Sequence, residues 1–419
     1  MATSKNKDKA KSSGSARGSG GKSSADANIR IEDEAGGLFK VAGTIGVLGV
    51  AVSLLMGYGD FRQFSHSYLV SFMWALSIGV GALWWITLQH LVGAKWSVVV
   101  RRVAELLGSN MTLLALLAMP IVLPLLLGNS SLYPWADHHK VEHDHLLHHK
   151  APYLNIGFFA VRFIFYFAFW AFLGNFFKVH SLRQDQSGKD EHRRMAKISP
   201  AAMILIALTL TFCVIDFVMS LDPTWFSTIF GVYYFATCVL TFHSTLALAL
   251  MWVQGKNRLV GVVTVEHYHD VGKMMFAFIV FWAYIGFSQF LLIWYANIPE
   301  ETAWYRIRLE GSWGMVSAVL LFAHFVIPFV GLISRQIKRN KKTLAFWAVW
   351  LLAVCWIDMF WLIMPQLSPE RVPFHVLDVT CFVGIAGLFI AGAAYQARKV
   401  NLIPTKDPRL EQSLAFENL

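Results

Sequence analysis

The chain has 419 residues, of which 56% are hydrophobic and only 15% are charged, and its mean hydropathy is +0.50. A soluble protein of this length could not cover so much apolar surface, so we expect a protein embedded in a lipid bilayer. The formal net charge is +10, but the Lys and Arg residues lie between apolar runs, where they set topology and do not indicate a nucleic-acid-binding protein.

The first residues, 1–36, are rich in Ser, Gly and Lys, which predicts a disordered cytoplasmic tail. Ten apolar runs follow, and each is long enough to cross a bilayer as a helix. We therefore predict an all-α polytopic membrane protein. The third run contains Pro120 and Pro124 and is expected to kink. The predicted spans are 37–57, 66–91, 109–128, 153–178, 199–221, 229–253, 271–297, 312–334, 343–365 and 375–398.

The distribution of basic residues predicts the orientation of these helices. If Lys40 is counted with the first tail, 29 of the 36 Lys and Arg residues lie in one alternate set of segments, and six lie in the opposite set. The positive-inside rule then places both termini in the cytoplasm. The loops at 129–152, 298–311 and 366–374 would face the opposite, outer side of the membrane.

A short repeat links the fifth and ninth helices. CVID, from Cys213 to Asp216, recurs as CWID, from Cys355 to Asp358, after 142 residues. Because four helices separate the copies, both run in the same direction and both Asp residues lie near the outer side. The repeat predicts two parallel four-helix bundles and two peripheral helices. The boundaries are 37–65 for helix 1 and its outer loop, 66–228 for helices 2–5, 229–374 for helices 6–9, 375–398 for helix 10 and 399–419 for a cytoplasmic tail.

Charged residues inside the apolar runs are unusual, because a charge at the bilayer centre costs at least about 2.5 kcal/mol. Arg162 lies roughly 13 Å below the outer end of helix 4. Asp216, Asp358 and Asp378 lie at comparable or shallower levels. One interpretation is structural, with Arg–Asp ion pairs that hold helices together. The other is a hydrated or quinone-lined pocket of proton-exchanging carboxylates, in which Arg162 tunes one of them.

A second polar set could form an inlet from the cytoplasmic side toward these carboxylates. For any single histidine, a satisfied packing role is the more common interpretation. His243 and His324 lie at comparable depth, but a second axial pair is missing and no CxxCH occurs, so we expect no haem in this chain. The set comprises His243, Glu266, His267, His269, Asp270, Lys273, Tyr284, Ser288, Gln289 and His324.

The outer loop WADHHKVEHDHLLHHK is rich in histidine, and such tracts can bind zinc or copper. Its spacing is irregular, so no ordered ligand set can be assigned, and we expect a solvated surface that docks a partner. The four cysteines are isolated in apolar runs without a CxxC motif, which excludes an iron–sulfur cluster or zinc ribbon within this chain and favours small packing residues. They are Cys213, Cys238, Cys355 and Cys381.

Four long stretches resemble a known family. They are HSYLVSFMWALSIGVGALWWITLQH, HKAPYLNIGFFAVRFIFYFAFW, IDFVMSLDPTWFSTIFGVYYF and YHDVGKMMFAFIVFWAYIGFSQFLLIWYANIPEET. These strings are similar to the ActF-type membrane subunits of bacterial alternative complex III, a quinol:cytochrome c oxidoreductase. That family, also described as quinone-binding subunit 2, is related to ActC and to the NrfD/polysulfide reductase membrane subunits. The resemblance covers residues 40–400.

The resemblance implies ten helices in two four-helix bundles, and it also implies partners. These would be a multihaem cytochrome c subunit, an iron–sulfur subunit related to molybdoenzymes, the ActC paralogue and small membrane subunits. Haems and iron–sulfur clusters would lie in those partners, and this chain would carry no redox cofactor. In the family, ActC is the better candidate for quinol oxidation, although quinol stays a candidate ligand of the ActF type.

We therefore expect a subunit that scaffolds a quinol-oxidising complex and conducts protons. In this hypothesis, Asp216 and Asp358 are equivalent proton-exchanging groups, one at the outer end of each bundle, and His243 and His324 are relay members. Three alternatives stay open at this point: direct quinol oxidation near Arg162 and Asp216, a free-standing transporter, and a purely structural anchor.

Overall fold

The structure, a computed structural model, describes residues 28–418. Ten helices in this part of the chain are long and apolar enough to cross a membrane, which confirms the predicted all-α polytopic architecture. They are α1 (Glu32–Gly57), α2 (Phe61–Leu91), α3 (Val98–Leu126), α4 (Ile156–Ser187), α5 (His192–Leu221), α6 (Phe230–Gly255), α7 (Val265–Ala296), α8 (Gly311–Ile333), α9 (Lys341–Gln366) and α10 (Val376–Ala397).

The first helix begins earlier than predicted. α1 starts at Glu32, and the segment before it pairs with the C-terminal part of the chain. The backbone N–H of Leu402 donates to the carbonyl oxygen of Ile29 at 2.8 Å. Residues 28–36 therefore belong to the folded part of the molecule, whereas residues 1–27 of the expected tail lie outside the described residues.

The largest difference from the predicted spans is at α3, which begins at Val98 and not at residue 109. Arg101, Arg102 and Glu105, which the sequence analysis placed in a cytoplasmic loop, are fully buried on this extension. Glu105 accepts a bond from Arg101 Nε at 3.4 Å and another from Arg102 Nε at 3.0 Å. Glu105 offsets part of the positive charge of the two arginines, and this pairing allows a buried helix where hydropathy alone predicts a loop. Within its bounds α3 is interrupted twice, at residues 109–110 and at Ala118, and the second interruption is the expected kink.

The helices form two four-helix bundles, α2–α5 and α6–α9. α2 and α6 pack against each other at the junction, and α2 is buried along almost its whole length. Their backbones approach closely at Gly81, where an added Cβ would lie 2.1 Å from the carbonyl oxygen of Cys238. Small residues allow such contacts between membrane helices, whose association depends on close packing. The two bundles therefore share a tight interface.

α1 and α10 pack against each other outside the bundles, and α10 also contacts α2. Glycines bring the backbones of α1 and α10 together. A Cβ added at Gly384 would lie 2.7 Å from the backbone nitrogen of Val50, and one added at Gly49 would lie 2.7 Å from Gly384 Cα. These distances leave no room for a side chain at either position.

The ten crossings place both described ends of the chain on one side of the molecule. We call this side the terminal face, and it carries segments 28–31, 92–97, 188–191, 256–264, 334–340 and 398–418. The opposite side, the loop face, carries segments 58–60, 127–155, 222–229, 297–310 and 367–375. Three short helices lie on the loop face, at His138–His143, His145–Lys150 and Pro299–Leu309.

Candidate functional site

Arg162 of α4 and Asp216 of α5 form a buried ion pair toward the loop face. Arg162 Nε donates to Asp216 Oδ2 at 2.8 Å, and Nη2 donates to Oδ1 at 2.9 Å. Tyr166 Oη donates to Asp216 Oδ2 at 2.9 Å, and Arg162 Nη1 donates to the carbonyl oxygen of Tyr153 at 3.0 Å. The two charges are thus matched by each other and by further hydrogen bonds, which is the geometry of a clamp between two helices.

Asp358 of α9 is fully buried and has a different environment. Three neutral groups donate to its carboxyl oxygens: Tyr233 Oη at 2.5 Å, Trp282 Nε1 at 3.2 Å and Thr237 Oγ1 at 3.3 Å. Within residues 28–418, no Lys or Arg side chain forms an ion pair with this group. A buried carboxylate without a counter-charge is costly, and proton binding removes that cost. Asp358 is therefore suited to change its charge state.

A histidine and a cysteine lie close to Asp358. Trp282, whose indole N–H reaches Asp358, stacks on His324 with ring centroids 3.8 Å apart. His324 Nε2 lies 3.7 Å from Cys355 Sγ. The histidine belongs to a π-helical turn, Leu321–Val326, and such turns are frequent at functional sites. Its Nδ1 atom has no hydrogen-bond partner among the described residues, so this cluster retains one free proton-binding nitrogen.

A row of hydroxyl groups follows α6 from Asp358 toward the terminal face. Thr237, Thr241 and Thr245 recur every four residues, so they share one side of the helix. Thr241 Oγ1 and Ser77 Oγ of α2 are hydrogen bonded at 2.9 Å. Thr245 Oγ1 has no partner in the described chain, and Thr245 lines an apolar cavity of 360 Å³ between the bundles and α1 and α10. These hydroxyls were not among the predicted site residues, although their spacing is visible in the sequence.

Gln289 of α7 lies on the loop-face side of Asp358 and links to the loop face. It is buried, its Nε2 donates to Tyr305 Oη at 2.9 Å, and its Oε1 accepts from Ser227 Oγ at 3.0 Å. Burial raises the pKa of Tyr305, in the short helix Pro299–Leu309, to about 12. By contrast, Tyr284 is 65% exposed on the outer surface of α7, so it does not join the buried polar residues as the sequence analysis expected.

His243 of α6 lies apart from His324. Its ring is fully buried against Trp85, at 6.2 Å between centroids, and its Nδ1 atom is 2.8 Å from the carbonyl oxygen of Val239. His324 is instead enclosed by Trp282 of α7. Each histidine therefore has its own aromatic partner, and no contact in the described chain joins them into one relay.

The residues that begin α7 make local contacts at the terminal face. They are Glu266, His267, His269, Asp270 and Lys273. Glu266 forms an ion pair with Arg339, and Asp270 forms one with Lys273. His267 Nε2 lies 3.2 Å from the carbonyl oxygen of Ser413, and its ring packs on Phe416. The C-terminal segment thus covers this set, and no contact in residues 28–418 connects it to Asp358.

Asp378 caps a helix. It lies in the first turn of α10, and its Oδ2 atom accepts a hydrogen bond of 2.7 Å from the backbone N–H of His375. A carboxylate in this position satisfies an otherwise unpaired donor and complements the helix dipole. Asp378 therefore has a local structural role and does not share a site with Asp216 or Asp358.

The His-rich loop folds into two short helices on the loop face, His138–His143 and His145–Lys150. Asp137 and Asp144 cap them, accepting from the backbone N–H groups of His139 at 3.1 Å and Leu146 at 2.8 Å. Across residues 28–418, no three His, Cys, Asp or Glu side chains come together in a geometry for a metal ion. Docking of a partner stays the prediction for this loop. Its other acidic and histidine residues are Glu142, His145, His148 and His149.

A buried charge cluster at the terminal face was missed by the sequence analysis. Arg101 Nη2 lies 2.5 Å from Asp407 Oδ2, Arg409 Nη2 lies 3.1 Å from the same oxygen, and Arg102 Nη2 lies 2.8 Å from Asp185 Oδ2. Burial opposes ionisation of Asp407, but hydrogen bonds from Arg409 and the charge of Arg101 outweigh it and lower the pKa of this carboxyl well below its usual range. The cluster anchors the C-terminal segment to α3.

No protein-family model matches this chain, and no curated protein matches it. The motif resemblance therefore supports a proposal about function and does not establish membership of a family.

Proposed function

We propose that this chain is an integral membrane subunit of a quinol-oxidising respiratory complex of the alternative complex III type. In that complex it scaffolds the membrane part and conducts protons through its second bundle. The observation that carries the proton role is the environment of Asp358, which is fully buried, bonded only to neutral donors and without a cationic partner in the described chain. The motif resemblance carries the assignment to the complex.

In this proposal, a proton reaches Asp358 along the hydroxyl groups of α6. Thr237 contacts the carboxyl directly, and Thr241 with Ser77 forms the next step toward the terminal face. A hydroxyl group both donates and accepts, so a row of them can pass a proton when water completes the chain. Tyr233 can keep its bond to Asp358 in both charge states for the same reason.

Release of the proton proceeds toward the loop face. Gln289 and Tyr305 are bonded to each other there, and Ser227 continues this polar route to the partly exposed surface. Trp282 stacks on His324 and donates its indole N–H to Asp358, so it lies between the histidine and the exchanging carboxyl. Arg162 and Asp216 serve as a fixed ion pair and do not exchange protons.

The setting proposed for this activity is the bacterial cytoplasmic membrane, with the terminal face on the cytoplasmic side because that face carries most of the Lys and Arg residues. The partners would be a multihaem cytochrome c subunit, an iron–sulfur subunit, an ActC-type paralogue and small membrane subunits. Quinol would be oxidised by the assembly, and the loop-face histidine helices would contribute a docking surface.

The test is purification of the tagged chain from its native membranes in a mild detergent. The proposal expects a stable assembly with c-type haem absorbance, iron–sulfur signals and quinol oxidation. The Asp358→Asn variant should purify with the same partners, because the amide keeps the shape of the carboxyl group. Recovery of the chain alone, with no haem-containing partner in any mild detergent, would instead favour a free-standing transporter and overturn the assignment.

A further inference from the structure

A groove on the outer surface of the helix bundle has a polar floor near the terminal face. The groove, of 960 Å³, lies between α1, α3, α4 and α10. Lys178 Nζ donates to Gln396 Oε1 at 2.7 Å, and Gln396 Nε2 donates to Asn110 Oδ1 at 2.8 Å. Ser109 Oγ also donates to Gln396 Oε1. Gln396 is the penultimate residue of α10, so this floor lies at the level where that helix leaves the membrane.

Two lysines give the groove positive charge. Lys40 and Lys178 both line it, and neither forms an ion pair with an acidic side chain within residues 28–418. The carboxylate that acts on Lys178 is Glu105, which is itself held by Arg101 and Arg102. One N–H of the Lys178 ammonium is used by Gln396, so two donors are left for a ligand.

Below this charged end, the walls of the groove are apolar. Val47, Leu48, Leu113 and Leu388 line it, and Gly43 leaves room between them. Val47 lies roughly 10 Å deeper along α1 than Lys40, by the rise of an α-helix. The groove therefore offers cations at the membrane surface and hydrocarbon contacts beneath them, an arrangement that matches a lipid with an anionic headgroup.

We propose that this groove binds an anionic phospholipid, with its phosphate at Lys178 and Lys40 and an acyl chain along Val47 and Leu388. The charge of the two lysines selects an anionic headgroup. The apolar walls favour a ligand with an acyl chain over a soluble phosphate. The site is distinct from the Asp358 region and does not depend on the proposed respiratory function. Its role is to seat α1 and α10 in the bilayer beside α3 and α4.

The experiment measures lipid binding to the full chain, or to the assembly that contains it, by native mass spectrometry. The two lipids compared are phosphatidylglycerol and phosphatidylcholine with identical acyl chains. Phosphatidylglycerol should bind preferentially. Lys178→Gln and, separately, Lys40→Gln should each weaken it by about fivefold, the effect of one basic residue at a membrane surface. Lys342→Gln, which removes an exposed lysine outside the groove, is the control and should bind normally. Lys40 is exposed, so its variant is expected to fold even if the Lys178 variant does not.

A second variant separates the two halves of the site. Val47→Trp should fill the apolar part and reduce binding of both lipids. The proposal would be overturned if the unaltered chain bound the two lipids equally well. It would also be overturned if the Lys40, Lys178 and Lys342 variants all bound phosphatidylglycerol with the same affinity. Full competition by glycerol 3-phosphate would also overturn it, because that result would indicate a site for a soluble phosphate.

Discussion

Arg162 and Asp216 are joined by two parallel hydrogen bonds of 2.8 Å and 2.9 Å. Asp358, the matching residue of the repeated CxID sequence, is bonded to Tyr233 at 2.5 Å and has no such cation among the described residues. The partner of Asp216 comes from the preceding helix, α4. The partners of Asp358 come from α6 and α7. The same four-residue pattern thus places two carboxyl groups in unlike electrostatic surroundings, and for this reason we propose different roles for the two residues instead of the equivalence expected from the repeat.

The clamp between α4 and α5 predicts a large loss of stability in Asp216→Asn. The amide leaves the Arg162 charge buried without its counter-charge, which costs about 3–5 kcal/mol. We expect a lower yield and a lower midpoint of thermal unfolding, measured on the purified protein. The double variant Arg162→Gln/Asp216→Asn should recover part of that loss, because it removes the unpaired charge. If the single variant were as stable as the unaltered chain, the Arg162–Asp216 ion pair would make no contribution to stability.

The C-terminal segment should become less protected at low pH. The pKa of Asp407 is lowered in the folded protein, so its contribution is complete above the unfolded value of about 3.9 and is lost as the pH falls from there toward the folded value. Hydrogen exchange of residues 401–418 at pH 6 and pH 3 measures this change. The groups that face Asp407 are Arg101 and Arg409, and His192 contacts Arg409 at 3.3 Å.

Asp407→Asn supplies the matched comparison for that measurement. At pH 6 this variant should already exchange faster over residues 401–418, since Arg101 loses a buried partner at a cost of about 3 kcal/mol. Its protection should then change less between pH 6 and pH 3 than that of the unaltered chain. Identical protection in both proteins at both pH values would show that the ion pair does not hold the segment.

The contact between α1 and α10 predicts sensitivity to side-chain volume at one glycine. Gly384→Leu places atoms where Val50 and Gly49 already lie, and overpacking of this kind costs about 1–3 kcal/mol. The thermal midpoint should fall, and α1 should become more accessible to protease. Gly37→Ala is the control, because a Cβ there meets nothing within 4 Å. Equal stability of the two variants would contradict the close packing.

The orientation can be tested by thiol labelling, since all four native cysteines are buried. Glu142→Cys on the loop face and Lys342→Cys at the terminal face both replace exposed side chains. An impermeant maleimide added to intact cells should label residue 142 and not residue 342. The positive-inside rule is the physical reason. Labelling of residue 342 alone would reverse the proposed orientation.

The ten helices were predictable because each apolar run approaches or exceeds the roughly 20 residues needed to cross a bilayer. The start of α3 was not predictable from hydropathy, since Arg101, Arg102 and Glu105 offset one another only when the helix is formed and buried. Asp407, which completes that cluster, is 306 residues from Arg101 along the chain. A partner at such a separation leaves no local signal.

The candidate site was likewise only partly predictable from the sequence. Asp358 could be recognised as a charged residue in an apolar run. Its partners Tyr233, Thr237 and Trp282 could not be predicted, because the sequence does not specify which sides of these helices face each other. The histidines were grouped because several polar residues could line one inlet from the cytoplasmic side. That pattern does not tell which neighbour each histidine faces, so one relay was predicted, whereas His243 packs on Trp85 and His324 on Trp282.

The central claim is that Asp358 exchanges protons, and its most direct test is proton release per quinol oxidised by the purified assembly in sealed vesicles. Asp358→Asn should assemble normally, and its proton output or turnover should fall by roughly tenfold or more. Asp190→Asn, which changes an exposed helix cap on the terminal face, should leave both quantities unaltered. Normal assembly of Asp358→Asn with undiminished turnover and proton output would contradict the claim.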